Sequence, residues 1–240
     1  MHIPKILSLR FIKDLIRKEN LNSYLSANLQ GMNNRYIDIF VRLGVYSVLV
    51  LIASKIFMYD ASGSLHEGQK FTEYSLTELS QEIIFLIASV FFFIAAYKFE
   101  DSRPISILFG GFTMVAFCRE FDFLTDSINS SFWGVTSGIV ILTVFAISWK
   151  YWKNLTKSYY EYYDSKAFAY MISGVLVTFL FSRLFGKGDF WKTIMEDHYI
   201  RSVKNAGEEC VEVMGDILIL ISSVEYLIFK IQQKRKLKVS

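Results

Sequence analysis

The stretch from Asn205 to Phe229 constrains the fold more than any other. It opens acidic, with Glu208, Glu209, Glu212 and Asp216, and continues as a run of Ile, Leu, Val and Phe. An apolar run of about 20 residues is long enough to cross the hydrocarbon core of a bilayer as a helix. On that helix Glu209, Glu212 and Asp216 stand at i, i+3 and i+7 and share one face. At about 1.5 Å per residue, Asp216 lies about 12 Å deeper than Glu208. A carboxylate in hydrocarbon needs a partner, a proton, a metal or water. A membrane protein with a buried polar site is therefore expected.

Composition alone is only suggestive: 52% of the 240 residues are hydrophobic, against about 45–50% apolar in soluble domains. Clustering decides the class, because windows of about 20 residues with few or no charges recur along the chain. The expected fold is all-α, an integral membrane bundle of about six transmembrane helices preceded by an N-terminal amphipathic helix. The spans fall roughly at 37–59, 76–97, 105–124, 133–149, 167–185 and a sixth ending at 229. Residues 1–36 form a basic arm, 37–229 the transmembrane domain and 230–240 a basic tail.

In the arm, Ile6, Leu9, Ile12, Leu15 and Ile16 recur at helical spacing, with Lys5, Arg10, Lys13, Arg17 and Lys18 on other faces. Such a helix can lie on an anionic membrane surface. Its apolar positions are interrupted by charge, so no cleavable leader is expected. The lysine and arginine bias places the arm, the tail and the even loops on the cytoplasmic side of an inner membrane. Both termini are then cytoplasmic.

This topology gathers ionisable residues at the outer ends of four spans. Glu78 and Glu82 open the second. Arg119, Glu120, Asp122 and Asp126 close the third, Arg183 closes the fifth, and Glu208, Glu209, Glu212 and Asp216 open the sixth. Oxygen ligands from several helices suit a hard or borderline divalent cation. Glu78, Glu82, Asp122, Glu209, Glu212 and Asp216 are the candidate ligands, with His198 a nitrogen donor and His66 a weaker one. Glu82, Asp122, Glu209 and Glu212 are the candidate catalytic acids and bases. Arg119 and Arg183 can clamp a phosphate or carboxylate, such as a lipid headgroup.

These residues point first to a divalent-metal-dependent enzyme acting on a lipid or small molecule, the metal unidentified. A proton- or ion-coupled transporter or channel is the alternative, and a non-enzymatic sensor or assembly subunit a third. Interhelical ion pairs that only fix packing are the structural alternative. The inner halves of the spans carry little charge, which weighs against a complete ion path. Glu120 is rotated by about 100° from Arg119 and is expected to face headgroups. Glu225 is expected at the interface. Cys118 and Cys210 are expected as separate thiols, with a disulfide joining spans three and six as the alternative. No nucleotide, hydrolase or zinc-protease motif is present, and the basic residues form no nucleic-acid surface. The bilayer itself is the expected partner, and a homo-oligomer is compatible with the pattern.

The spaced Glu78 and Glu82, the box Arg119-Glu120-Phe121-Asp122 and the opening Glu208-Glu209-Cys210-Val211-Glu212 resemble a pattern in bacterial polytopic membrane proteins without an assigned activity. The resemblance covers spans two to six and implies the membrane fold alone. Membrane hydrolases of the alkaline ceramidase type also hold a metal near one membrane face. Their histidine pair is missing here, so their chemistry does not carry over.

Overall fold

The computed structural model describes residues 36–63, 70–71, 75–120 and 132–239. The arm up to residue 35 lies outside the described residues, as do His66, Asp122 and Asp126. The described residues are 92% helical and contain no strand, as the all-α reading requires. The chain divides into two compact units, residues 1–49 and 50–240. In the first, residues 36–49 are helical. Arg42 Nε donates to Asp38 Oδ2 one turn earlier, at 2.8 Å, and Ile37, Phe40 and Leu43 are exposed.

Helix α1 (Tyr36–Ser62) runs on into the second unit. There follow α2 (Leu76–Lys98), α3 (Arg103–Glu120), α4 (Phe132–Lys150), α5 (Leu155–Tyr163), α6 (Lys166–Phe185), α7 (Gly188–Met195) and α8 (Arg201–Val239). Three of them, α1, α2 and α6, are long and apolar enough to cross a membrane. A fourth span results if the residues of α4 and α5, bent by 76° at a short break, count as one. Helix α3 carries Arg103, Arg119 and Glu120, and α8 carries Glu212, Asp216, Glu225 and Lys230. Charge keeps both from qualifying on composition.

Local chemistry explains where α2 begins. Asp60 is buried at the end of α1 and accepts from the Thr77 amide at 2.8 Å, the Thr77 hydroxyl at 2.6 Å and the Leu76 amide at 3.2 Å. Ser75 caps the helix through its hydroxyl, which accepts from the Glu78 amide at 3.2 Å. The free amides of the first turn thus gain oxygen partners.

Helix α8 is the centre of the bundle. It packs against α2 and α6, while α3 packs against α2 and α4. At 39 residues it is about 58 Å long. The core beside it is aromatic. Tyr162 meets Phe109 at 4.6 Å and Tyr226 at 4.8 Å between ring centroids, and Phe92 meets Phe109 at 5.6 Å. The Tyr162 hydroxyl shares a hydrogen bond of 2.7 Å with Ser222, which gives a polar tip in an apolar core its partner.

The opposite surface of the fold is greasy. Ile139, Ile141, Leu142 and Phe145 on α4 and Ile172, Leu176 and Leu180 on α6 are exposed. A run of large exposed apolar side chains of this kind marks an interaction surface rather than a watered one.

The face of α8 turned into the bundle is polar along its length. Glu212, Asp216, Ile219, Ser223, Tyr226 and Lys230 are all buried and recur at helical spacing. Glu225, expected at the interface, is buried too. Lys230, 1% exposed, ion-pairs with Asp101 in the α2–α3 turn. It also donates to Glu161 Oε2 at 2.9 Å and Gln233 Oε1 at 2.6 Å. Three acceptors offset the cost of removing an ammonium group from water.

Burial works against ionised Asp101, but the hydrogen bond and charge of Lys230 outweigh it and hold the carboxyl below the usual aspartate range. A depressed carboxyl adds stability above its unfolded value of about 3.9 and loses it as pH falls through the folded value. Lys230→Met leaves Asp101 and Glu161, both partly open to water, without their shared donor and is expected to cost about 1–2 kcal/mol at neutral pH. The further loss of thermal stability below about pH 4 is then smaller than in the wild type. Thermal unfolding of the detergent-solubilised protein across that range checks both.

Candidate functional site

The acidic residues of α8 meet α2, α3 and α6 at one end of the bundle. The geometry starts with α6, which is not a uniform helix. Its residues Leu176–Phe181 form a π-helical turn, a widening that often accompanies a functional site. Inside this turn Thr178 is buried and donates to Asp216 Oδ1 at 2.8 Å. One turn on, Ser182 donates to Glu212 Oε1 at 3.0 Å and to the Thr178 carbonyl at 2.5 Å. Arg183 follows, with Nη2 donating to the same Glu212 oxygen at 2.6 Å and Nη1 lying 3.5 Å from Glu208 Oε1.

Two glycines let α6 and α8 approach this closely. A Cβ on Gly215 would lie 2.7 Å from the Thr178 nitrogen, and one on Gly174 would lie 2.7 Å from the Gly215 carbonyl oxygen. Small residues at a crossing allow such backbone contact in helix pairs. Because the two are 41 positions apart, as 215 less 174 shows, no single segment displays them as a motif.

Helices α2 and α3 complete the site. Gln81 donates to Glu209 Oε2 at 2.8 Å. Glu82, one residue on, is buried, and its Oε1 has no hydrogen-bond partner among the described residues. Glu78 lies within electrostatic range of Glu209. Arg119 sits with its guanidinium 5.5 Å from the Phe179 ring centroid and donates to Glu120 Oε1 from Nε at 2.8 Å. Arg119 also acts electrostatically on Glu212 and Asp216. Asp216 is fully buried, and its Oδ2 has no partner among the described residues.

Most of the sequence-derived residues therefore come together. Glu78, Glu82, Glu209, Glu212, Asp216, Arg119 and Arg183 share one polar layer. Asp122 lies outside the described residues. His198 is exposed on the short 3-10 turn Glu196–His198 after α7. Cys118 and Cys210 are separate thiols. Among the described residues no three His, Cys, Asp or Glu side chains stand close enough to hold a metal ion.

Glu120 corrects the helical-wheel argument. It lies within electrostatic range of Glu82, Glu209, Glu212 and Asp216 and turns inward to Arg119 instead of outward to headgroups. At the last position of α3, side-chain torsions outweigh the angle at Cα. Gln81, Thr178 and Ser182 supply the hydrogen bonds and carried no assigned role in the sequence. The i, i+4 spacing of Thr178 and Ser182 in an otherwise apolar span was the available signal.

Comparison with protein-family models, curated proteins and solved structures returns no match. The chemistry of the site is the remaining guide to function. Thr178→Val removes the hydroxyl that faces Asp216 and is expected to destabilise the bundle by about 1–3 kcal/mol. Gly215→Ala is expected to cost a similar amount, about 1–3 kcal/mol, by forcing α6 and α8 apart. Chemical unfolding of both variants beside Ser182→Ala measures this.

Proposed function

We propose that the chain is a six-span inner-membrane protein that passes protons along the buried face of α8, either alone or with a co-transported solute. The spans are α1, α2, α3, α4, α6 and α8. Helix α5 lies at the headgroup level, with Tyr159, Tyr160 and Tyr163 exposed and Tyr162 buried. Charge on α3 and α8 does not argue against their spanning, because Glu212, Asp216, Glu225 and Lys230 of α8 are buried in protein and Arg103, Arg119 and Glu120 stand at the two ends of α3. The burial of the α8 groups supports this reading. Reporters fused to the two ends are expected on the same, cytoplasmic side; opposite sides would require an odd number of spans.

One observation carries the proton reading. Polar groups follow the inward face of α8 from Glu212 to Lys230, 18 residues and about 27 Å apart, close to the thickness of the hydrocarbon core at about 30 Å. At the acidic end, Asp216 Oδ2 and Glu82 Oε1 are buried and have no hydrogen-bond partner among the described residues. A carboxyl oxygen in that position takes a proton or a cation as its partner. The middle of α8 offers Ile219; Ser89 on α2 and Thr113 on α3 form a buried hydroxyl pair of 2.8 Å where those two helices pack. Ser89 falls between two contacts of α2 with α8, Gln81 with Glu209 and Phe92 with Tyr226. Ser223 and Tyr226 follow, and then Lys230 with Asp101 and Glu161.

The carboxyls at the acidic end are groups that can release and accept protons in sequence, and Lys230 with its acceptors anchors the other end of the polar face. Arg119 and Arg183 beside the acids suit an anionic solute or a headgroup that enters from the outer face.

The test is proton flux into proteoliposomes that carry a trapped pH dye and a potassium diffusion potential. The wild type is expected to acidify the lumen faster than protein-free vesicles do. Asp216→Asn, which keeps the size and the Thr178 contact but cannot cycle a proton, is expected to lower the rate about tenfold or more. Flux no faster than in protein-free vesicles, or a wild-type rate in the variant, would rule the reading out.

A further inference from the structure

At the end of the bundle away from the acidic site, a cleft of about 420 Å³ opens between the C-terminal end of α2 and the last turns of α8. It is lined by Lys98, Phe99, Ile231, Lys234 and Arg235. Three of the five lining residues are cations, and none of the five is an acid. None of Lys98, Lys234 and Arg235 pairs with a carboxylate among the described residues. A neighbouring cavity of about 270 Å³ shares Lys98, Phe99 and Lys234, but Glu100 and Asp101 line it too, beside Lys230. The cleft thus has two lobes, one mixed in charge and one purely cationic.

The cationic lobe has a defined floor. Phe99 is buried as the C-cap of α2, and its amide donates to the Ala95 carbonyl at 3.0 Å. The Lys234 ammonium stands 5.6 Å from the centroid of the Phe99 ring. Lys234 is therefore held over the floor by a cation–π contact. Ile231 adds a second apolar side chain. The depth is that of a headgroup layer. Tyr97, beside Lys98, is 85% exposed, and Trp149 and Trp152 are exposed as well. These last two flank Tyr151, whose ring lies 5.3 Å from the Arg103 guanidinium at the start of α3. Exposed Trp and Tyr at one level mark the interface of a membrane protein.

We propose that this cationic lobe binds the phosphate of an anionic membrane lipid, with its glycerol and first acyl carbons over Phe99 and Ile231. The inference rests on the membrane reading above and not on proton transfer. The chemistry is complementary on both counts: three cations for a phosphate diester, and an apolar floor for the chain that follows it. Basic pockets between helices on the cytoplasmic side bind acidic headgroups in this manner.

The experiment uses the full-length protein in detergent, after it has been shown to resist carbonate extraction from membranes, so that a failure here is separate from a failure of the membrane reading. Binding of dioctanoyl-phosphatidylglycerol and dioctanoyl-phosphatidylcholine is followed by native mass spectrometry. The glycerol lipid is expected to bind and the choline lipid to bind far more weakly. Each basic residue contributes roughly fivefold at an anionic surface, so the triple variant K98Q/K234Q/R235Q is expected to lose about a hundredfold in affinity. The charge-matched variant K153Q/K157Q/K236Q, altered at exposed lysines outside the cleft, is expected to bind as the wild type does. Equal loss in both variants makes the attraction a diffuse effect of net charge and overturns the site. Equal binding of the two lipids overturns it as well. Displacement of the bound lipid by millimolar inorganic phosphate overturns the lipid assignment in favour of a soluble anion.

Discussion

The structure depends on how one helix hides its polar face. Helix α8 carries Glu212, Asp216, Ser223, Tyr226 and Lys230 on a single stripe, all of them buried. Ionised or hydrogen-bonding groups in a low-dielectric interior are costly unless each finds a partner. Elements α2, α3, α5 and α6 contribute to that requirement. The widened turn of α6 presents Thr178 and Ser182, α2 presents Gln81, α3 brings Arg119, and the α2–α3 turn and α5 place Asp101 and Glu161 around Lys230. A polar stripe thus runs beside an apolar and aromatic core, and the exposed faces of α4 and α6 are apolar as well.

The two ends of that axis differ in kind. At the basic end Lys230 has three acceptors, so the group is satisfied and acts as a lock between α8, α5 and the α2–α3 turn. At the acidic end the acids outnumber their donors. Arg183 serves Glu212 and Glu208, Gln81 serves Glu209, and Thr178 serves one oxygen of Asp216. A fully satisfied network stabilises a fold, and a partly satisfied one is where chemistry or transport is placed at some cost in stability. The contrast within one helix is what separates the candidate site from the structural ion cluster.

Much of this was legible in the residues. The helical class followed from the recurrence of long apolar windows, and the gathering of Glu78, Glu82, Arg119, Arg183, Glu209, Glu212 and Asp216 followed from the alternation of spans that puts them at one level. What misled was the treatment of each charge by its own segment. Glu225 sits near the end of an apolar run, but its helix continues for about four more turns and its side chain is packed against protein. Glu120 looked outward because a helical wheel has no side-chain torsions. The inner halves carry little charge, and their polar groups, Ser89, Thr113, Ser223 and Tyr226, are neutral members of apolar runs. Ser89 and Thr113 meet across two helices, and Ser223 donates to the Leu220 carbonyl of its own helix.

By itself the sequence determined that the chain is helical, where its long apolar runs lie, and which segments bear acids. Those properties depend on residue type and on spacing within a turn or two, so they are local. Only the tertiary structure decided which acids have partners, that Gly174 and Gly215 let two helices touch, that α6 widens at Thr178, and that Lys98, Lys234 and Arg235 share one cleft. Those facts depend on pairs of residues tens to more than a hundred positions apart. No period along the chain records such a pair, because close packing between helices sets it and not the path of any one of them.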